Sequence, residues 1–232
     1  MWAFLPKVGF LFDPRDEGIT DLVQFGQVPE PYWSEQSRDW EHTQELLADV
    51  ASGKTGIEHL VVDSLTGFEL FCFKHHCEEH FDGDWSKGGF LAFQSGPKNA
   101  AKTDWPMFLD LMDDVRRAGI SVVVIAHSQI KPFTNPDGAN YDQYMPYLEK
   151  DTWHQTHRWA KAVLFHNIEV GLEKVAGRTK AKAGTEERAI YTEPGATFIA
   201  KNRWGIATRI DCGSSPEETY KNFMSAYMKA GK

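Results

Sequence analysis

Residues 51–64 read ASGKTGIEHLVVDS, and two readings of this stretch compete. Gly53-Lys54-Thr55 has the residues that close a phosphate-binding loop, whereas His59 to Ser64 is an apolar run that ends on a carboxylate. A phosphate loop needs Gly, four residues, then Gly-Lys-Thr/Ser between a strand and a helix, so that backbone amides and a helix N-terminus converge on the phosphates. Counting back from Gly53, the required first glycine falls on Ala48. The order of elements is also reversed, because a helical pattern precedes the Gly-Lys-Thr and a strand pattern follows it. The stretch therefore reads as a turn feeding a buried strand, with Asp63 at that strand's carboxyl end.

Working outward, Val8-Gly9-Phe10-Leu11-Phe12 is a second short apolar run, closed by the polar segment Asp13-Pro14-Arg15-Asp16-Glu17-Gly18. It reads as another buried strand running into a loop. A helix starts near Ile19, and the spacing of Trp40, Leu46, Leu47 and Val50 predicts a long helix over 34–51, ended by Ser52-Gly53. Beyond Asp63, residues 65–81 read as helix and 82–100 as a Gly-rich loop. Residues 104–118 read as a helix with Trp105, Phe108, Leu109, Met112 and Val115 on one face. Residues 120–128, ISVVVIAHS, form a β-branched run of the kind buried on both faces of a sheet. A second loop over 129–144 and a helix to Trp159 lead into a strand over 162–170. After a basic turn, 188–193, 197–203 and 206–211 read as short strands of an antiparallel meander. Residues 215–230 close the chain as a helix with proline in its first turn. Strands alternating with helices over the first two-thirds predict an α/β fold, a mostly parallel sheet flanked by helices. Its chemistry belongs at the carboxyl ends of the strands.

Composition narrows the function. A chain of 232 residues, 41% hydrophobic, has enough apolar content for one sizeable core, and no linker-like segment divides it, so the expectation is a single domain over 1–232. A formal net charge of −8 argues against coating nucleic acid by bulk charge, so any such contact is local. No apolar run approaches the roughly 18 residues that span a bilayer, and the first ten residues lack the pattern of a secretory signal. Cys72, Cys77 and Cys212 are too few and too uneven for a disulfide framework, which points to a reducing, cytoplasmic setting.

Three strand ends carry candidate chemistry. Asp63-Ser64 after His59-Leu-Val-Val is the arrangement of a Walker B strand, whose carboxylate emerges beside a nucleotide-bound magnesium ion. An apolar run closing on Asp-Ser is also an ordinary helix N-cap. A carboxylate in the segment after Phe12 has the chemistry to polarise a water for attack on a terminal phosphate, and the same residues also build a solvated turn. The third end, Ala126-His127-Ser128-Gln129, offers polar side chains where a terminal phosphate would be sensed.

With these ends in order, the chain resembles the RecA-like (AAA/P-loop) ATPases, and more closely the phage-type proteins of that group associated with single-strand annealing and recombination. The likeness runs through GFLFDPRDEGI, HLVVDS, SVVVIAHSQIKPF, AVLFHN and FIAKNRWG. Its best single motif, Lys201-Asn202-Arg203-Trp204-Gly205, looks like the Lys-Asn-Arg-aromatic-Gly motif of RadA recombinases. The resemblance implies ATP and Mg2+ as cofactors, single-stranded DNA as partner, and a ring or filament of identical subunits. It implies Asp63 as the carboxylate that orients magnesium through water, with Ser64, His127 and Ser128 lining the nucleotide site. Glu17 would be the catalytic glutamate, although Asp16 stands beside it and the spacing from the strand is two residues long. Gln129, or else His127 or Ser128, would sense the terminal phosphate. Lys201 and Arg203 would reach the site of a neighbouring subunit.

In such proteins two loops touch single-stranded nucleic acid. Here they correspond to 82–100, with Trp85, Lys87, Phe90, Phe93 and Lys98, and to 130–144, with Lys131, Phe133, Asn135 and Tyr141. Aromatics interleaved with lysines suit stacking on bases while holding phosphates. They also suit pinning long loops onto a domain. Cys72, His76 and His80 recur at i, i+4 and i+8 on one helix face, a pattern that either holds a transition metal or packs a helix.

In the resembled family a strand, phosphate loop and helix come first. MWAFLPKVGFLF looks like the end of that helix running into the next strand, so the expectation is a chain that starts just after its phosphate loop. Weak or absent ATP hydrolysis by this polypeptide alone follows. The rival expectation is a non-catalytic nucleic-acid-binding or assembly module with a degenerate nucleotide site.

Overall fold

The computed structural model describes residues 1–13, 18–169, 172–175, 178–181 and 187–231, with only the backbone of 172–175 and 178–181 considered. Two compact units form. One comprises residues 2–129 and 146–159, the other residue 1, 130–145 and 160–232.

The first unit is built on four parallel strands, β1 (Val8–Phe12), β2 (Trp33–Gln36), β3 (His59–Asp63) and β4 (Ser121–Val124), in the order β2-β1-β3-β4. Between them run α1 (Gly18–Gln24), α2 (Trp40–Ala51), α3 (Leu65–Phe81) and α4 (Ser95–Arg117), and α5 (Lys150–Trp159) follows later in the chain. Register places Phe10, Val61 and Val123 on one face of the sheet, where Trp2, Phe4 and Leu5 of an N-terminal 3-10 turn and Ile19 and Val23 of α1 pack against them. Leu11, Leu60 and Val62 point the other way and are fully buried. The helices α2, α3 and α4 pack together, and the rule that parallel crossovers are right-handed assigns them to that second face. These helices share a ring cluster in which Trp105 and Phe108 lie 5.1 Å apart, Trp40 and Phe108 5.5 Å, and Phe68 and Phe108 5.8 Å. Burying such rings is the largest apolar contribution that single residues make to the unit.

Several expectations change. Residues 34–51 are not one helix: Trp33–Gln36 pair with β1, and α2 begins only after Asp39, whose carboxylate caps the His42 amide at 2.8 Å. The helix expected from 104 starts at Ser95. Pro97 is tolerated there because first-turn amides lack intrahelical partners. ISVVVIAHS does not form a strand buried on both faces. Ser121–Val124 lie at the edge of the sheet among the described residues, which leaves Val122, Val123 and Val124 half-buried.

In the second unit, the loop expected over 129–144 is largely a two-stranded hairpin, β5 (Ser128–Phe133) and β6 (Tyr141–Pro146), whose first and last residues belong to the other unit. The elements β7 (Ala162–Val163), β8 (Phe165–Glu169), β9 (Leu172–Val175), β10 (Arg178–Ala181), β11 (Glu187–Tyr191), β12 (Lys201–Asn202) and β13 (Arg209–Asp211) precede the closing helix α6 (Pro216–Ala230). β11 pairs antiparallel with β8 and β13, β9 with β10, and β7 with β12. Phe198 stacks on Phe165 at 4.9 Å and lies 4.7 Å from Tyr191. Ser215 caps α6 by accepting from the Glu218 amide at 3.1 Å. No helix among the described residues is long and apolar enough to cross a membrane.

Candidate functional site

Polar groups collect where β1, β3 and β4 end. Asp13 is the first residue past β1, and its backbone amide donates to the Asp63 carbonyl at 3.0 Å. Its side chain is buried, 3% exposed, against the start of α3. There Oδ2 accepts from the Ser64 amide at 3.3 Å and faces the Ser64 hydroxyl at 3.4 Å. Ser64 occupies the N-cap position of α3 but makes no side-chain cap bond, since its hydroxyl turns to Asp13. A carboxylate held at a helix N-terminus is favoured by the exposed amides and the helix dipole. The Asp63–Ser64 peptide is cis.

Asp63 itself is half-buried in register with Phe12, on the face that carries Phe10 and Val61. At the end of β4, the Ile125 carbonyl accepts from the Leu65 amide at 2.7 Å, and the His127 amide donates to the Thr66 hydroxyl at 3.3 Å. His127 and Ser128 are exposed, and the His127 carbonyl accepts from the Tyr147 amide at 2.7 Å. The Gln129 amide nitrogen donates to the Pro146 carbonyl at 3.0 Å, closing the base of the hairpin. The structure thus gathers Asp63, Ser64, His127, Ser128 and Gln129 at the carboxyl end of one sheet. It adds Asp13 and Thr66, which the sequence reading did not single out. The signal for Asp13 was available: it is the first polar residue after a buried strand, the position Asp63 holds at the last residue of the next one. Glu17 lies outside the described residues.

Gly53-Lys54-Thr55 sits at the opposite end of the sheet. It links the C-terminus of α2 to the amino end of β3, with Gly53 at φ +81°, and the Lys54 ammonium pairs with Asp49 at 2.5 Å.

Lys201 and Arg203 belong to the second unit. The Lys201 ammonium donates to the Ala160 carbonyl at 2.6 Å. Burial, with Arg203 and Lys161 nearby, holds its pKa below the usual lysine value. Asn202 organises the turn: its Oδ1 accepts from the Trp204 amide at 3.0 Å and the Ile206 amide at 3.3 Å, and its Nδ2 donates to the Ile206 carbonyl at 2.7 Å. Gly205 takes φ +67°, and Arg203 and Trp204 are left exposed.

The two loop sets separate into anchors and exposed groups. Phe90 is fully buried with the Trp85 ring stacked over it at 4.5 Å, so Phe90 is not available to stack on a base. Phe93 is 97% exposed, and Lys87 and Lys98 are exposed as well. In the hairpin, Phe133 and Tyr141 lie 5.1 Å apart and Lys131 is exposed. The Asn135 side chain is committed to the turn, accepting from the Asp137 amide at 3.1 Å and donating to the Ala139 carbonyl at 3.4 Å.

The cysteine–histidine face of α3 packs. Cys72 is buried, and that burial, with Asp104 and Glu69 nearby, pushes its thiol well above the usual range. His76 is buried against Asp104 of α4 at 2.6 Å, and its ring lies 4.4 Å from that of His80. Among the described residues, no group of three or more His, Cys, Asp or Glu side chains is placed to hold a metal ion.

A family model described as AAA domain matches residues 10–204 of the chain. No curated protein matches it.

Proposed function

Because the chain belongs to the AAA-domain family, a family of P-loop nucleotide-binding ATPases, we propose that it binds a magnesium–nucleoside triphosphate at the carboxyl end of its parallel sheet. We further propose that it acts with that nucleotide on single-stranded DNA, in recombination or annealing, as a homo-oligomeric ring or filament. The observation that carries the reading is the place of Asp63 at the carboxyl end of β3, from which Ser64 and Thr66 lead into α3 and are tied to the ends of β1 and β4 through Asp13 and His127. Carboxylate and hydroxyl oxygens are the hard donors that suit magnesium, which keeps several of its waters and takes only one or two protein carboxylates.

In this reading Asp63 would orient the metal's water shell and Thr66 would supply a hydroxyl beside it, while Ser64, its hydroxyl turned to Asp13, lines the site through the backbone at the start of α3. When bound, the magnesium nucleotide supplies the phosphoryl group that passes to water. Glu17 would be the residue to take the proton of that water. Gln129, whose amide nitrogen donates to the Pro146 carbonyl, would be the group that senses a terminal phosphate, with His127 and Ser128 beside it. Lys201 and Arg203 stabilise developing charge in the site of a neighbouring subunit. DNA contact falls to Trp85, Lys87, Phe93 and Lys98 in one unit and to Lys131, Phe133 and Tyr141 in the other. The sequence contains no Gly-x4-Gly-Lys-Thr/Ser, so these residues supply the metal side of the site, and hydrolysis by this polypeptide alone is weak or absent.

Titration with a fluorescent ATP analogue, with and without magnesium and a single-stranded oligonucleotide, tests the reading. Binding that needs magnesium and is lost in Asp63→Ala supports it. Binding indifferent to both contradicts it. Oligonucleotide binding with no response to ATP would instead support the non-catalytic module.

A further inference from the structure

We propose that Asp13 is a positioning residue, which locks the β3-to-α3 junction and so fixes where the Asp63 carboxylate stands. This rests on the reading of the carboxyl end as the metal–nucleotide site. Three observations carry it. Asp13 is tied to the junction in both directions, its amide donating to the Asp63 carbonyl at 3.0 Å and its carboxylate accepting from the Ser64 amide at 3.3 Å. The hydroxyl that would ordinarily cap α3 is turned towards Asp13, so the carboxylate of a neighbouring strand stands where a local cap would be. The third observation is Gly67. It lies in the first turn of α3 with an amide bonded to the Ser64 carbonyl at 3.0 Å, and a Cβ built there would fall on the Asp13 carboxylate.

Gly67 is otherwise out of place, because glycine weakens a helix relative to alanine. Its presence is explained by the space that the Asp13 side chain occupies. Asp13, Ser64 and Gly67 therefore act as one unit: the Asp13 side chain, from Cβ to carboxylate, fills the space left by the absent Gly67 Cβ. Asp63 is joined to that unit by the peptide between it and Ser64, so movement of the lock moves the metal ligand. Asp13 acts through Ser64 and need not touch the metal.

The test uses the full chain and manganese(II)·ATP as the probe, read by paramagnetic broadening of the Ser64 and Leu65 amide signals, with melting temperatures measured in parallel. Asp13→Ala and Gly67→Ala should each weaken the apparent affinity about tenfold, the lower end of what loss of a ligand-orienting partner costs. Asp13→Asn, which keeps an acceptor for the Ser64 amide, should lose less. The double variant Asp13→Gly/Gly67→Ala, which leaves no side-chain clash, should be no weaker than Asp13→Gly alone, since both changes remove the same interaction. The melting temperatures supply a reversal of sign that a merely structural carboxylate would not give alongside the affinity loss. Gly67→Ala should lower the melting temperature in the wild-type background and raise it in the Asp13→Gly background, because a Cβ at residue 13 alone would still lie 2.6 Å from the one added at residue 67. Unchanged manganese(II)·ATP affinity in Asp13→Ala would overturn the positioning role and leave the site reading intact. Additive losses in the double variant would overturn the lock. No manganese(II)·ATP-dependent broadening at this end of the wild-type sheet would overturn the site reading, and the positioning role with it.

Discussion

The two ends of the parallel sheet carry opposite lessons. At the amino end sits Gly53-Lys54-Thr55, the most nucleotide-like tripeptide in the chain, together with the exposed pairs Lys7–Glu58 at 2.7 Å and Lys54–Asp49 at 2.5 Å. At the carboxyl end sit Asp13 and Asp63 on short apolar strands, one buried and one half-buried, with Ser64 and Thr66 beside them. Lysine on a solvated turn spends its charge on a neighbouring carboxylate at little energetic gain. A carboxylate at a strand's carboxyl end is fixed by the sheet beneath it and can be aimed. Place on the sheet, more than residue type, is the ground on which the proposed site is set apart from the turn.

The comparison is broken most directly by removing the carboxylate. Asp63→Ala should weaken manganese(II)·nucleotide affinity by about 100-fold or more, the upper end of losses from disturbing a metal site, while leaving the melting temperature close to wild type. A change under threefold, measured by electron paramagnetic resonance of free manganese(II), would refute the assignment.

At the amino end the largest effect should be on stability alone. A Cβ on Gly9 would meet the Ile57 side chain at 2.8 Å and the Trp33 ring at 2.9 Å. Gly9→Ala should therefore cost about 1–3 kcal/mol by overpacking, seen in urea unfolding, with nucleotide affinity unchanged per folded molecule. Lys54→Ala removes an exposed ion pair and should shift stability by no more than about 0.5 kcal/mol, again with no effect on nucleotide binding. Were Lys54→Ala to abolish that binding, the two ends would have to exchange roles.

The smallest effect is on pH dependence. The hydrogen bond and charge of Lys7 hold the Glu58 carboxyl below its ordinary value of 4.5. A depressed carboxyl pKa stabilises the fold above the unfolded value, and that stabilisation is lost as pH falls through the folded value. Between pH 7 and 5 Lys7→Ala should leave the pH slope of stability unchanged. Below about 4.5 wild type should lose stability slightly more steeply than the variant.

The parallel sheet was legible because β1 and β3 are short apolar runs closed by carboxylates, and because helical periodicity lies between them. What misled was local pattern without partners. Trp33–Gln36 looks like the approach to a helix until it pairs with β1, and Val122–Val124 look doubly buried although β4 lies at the edge of the sheet among the described residues. The 129–144 segment reads as loop from its Pro, Asn and Gly content, yet the same residues make the tight Asn135 turn of a hairpin. Within the candidate site, Asp63, Ser64 and His127 stand out in the sequence by their places after apolar runs. Asp13 also reads as part of a solvated turn because Asp-Pro marks turns, and its burial with the close approach of Gly67 shows that the carboxylate is enclosed. Phe90 and Phe93 are indistinguishable in sequence, although one is the loop's anchor and the other stands in solvent.

The central claim, that the carboxyl end of the sheet rather than Gly53-Lys54-Thr55 faces the metal–nucleotide, is tested most directly by manganese(II)·ATP titrated into isotope-labelled protein with backbone amide signals assigned. The account predicts selective broadening of the Asp13, Ser64, Leu65 and His127 amides, with Gly53, Lys54 and Thr55 unaffected. Broadening centred on Gly53–Thr55, with the carboxyl end silent, would contradict it.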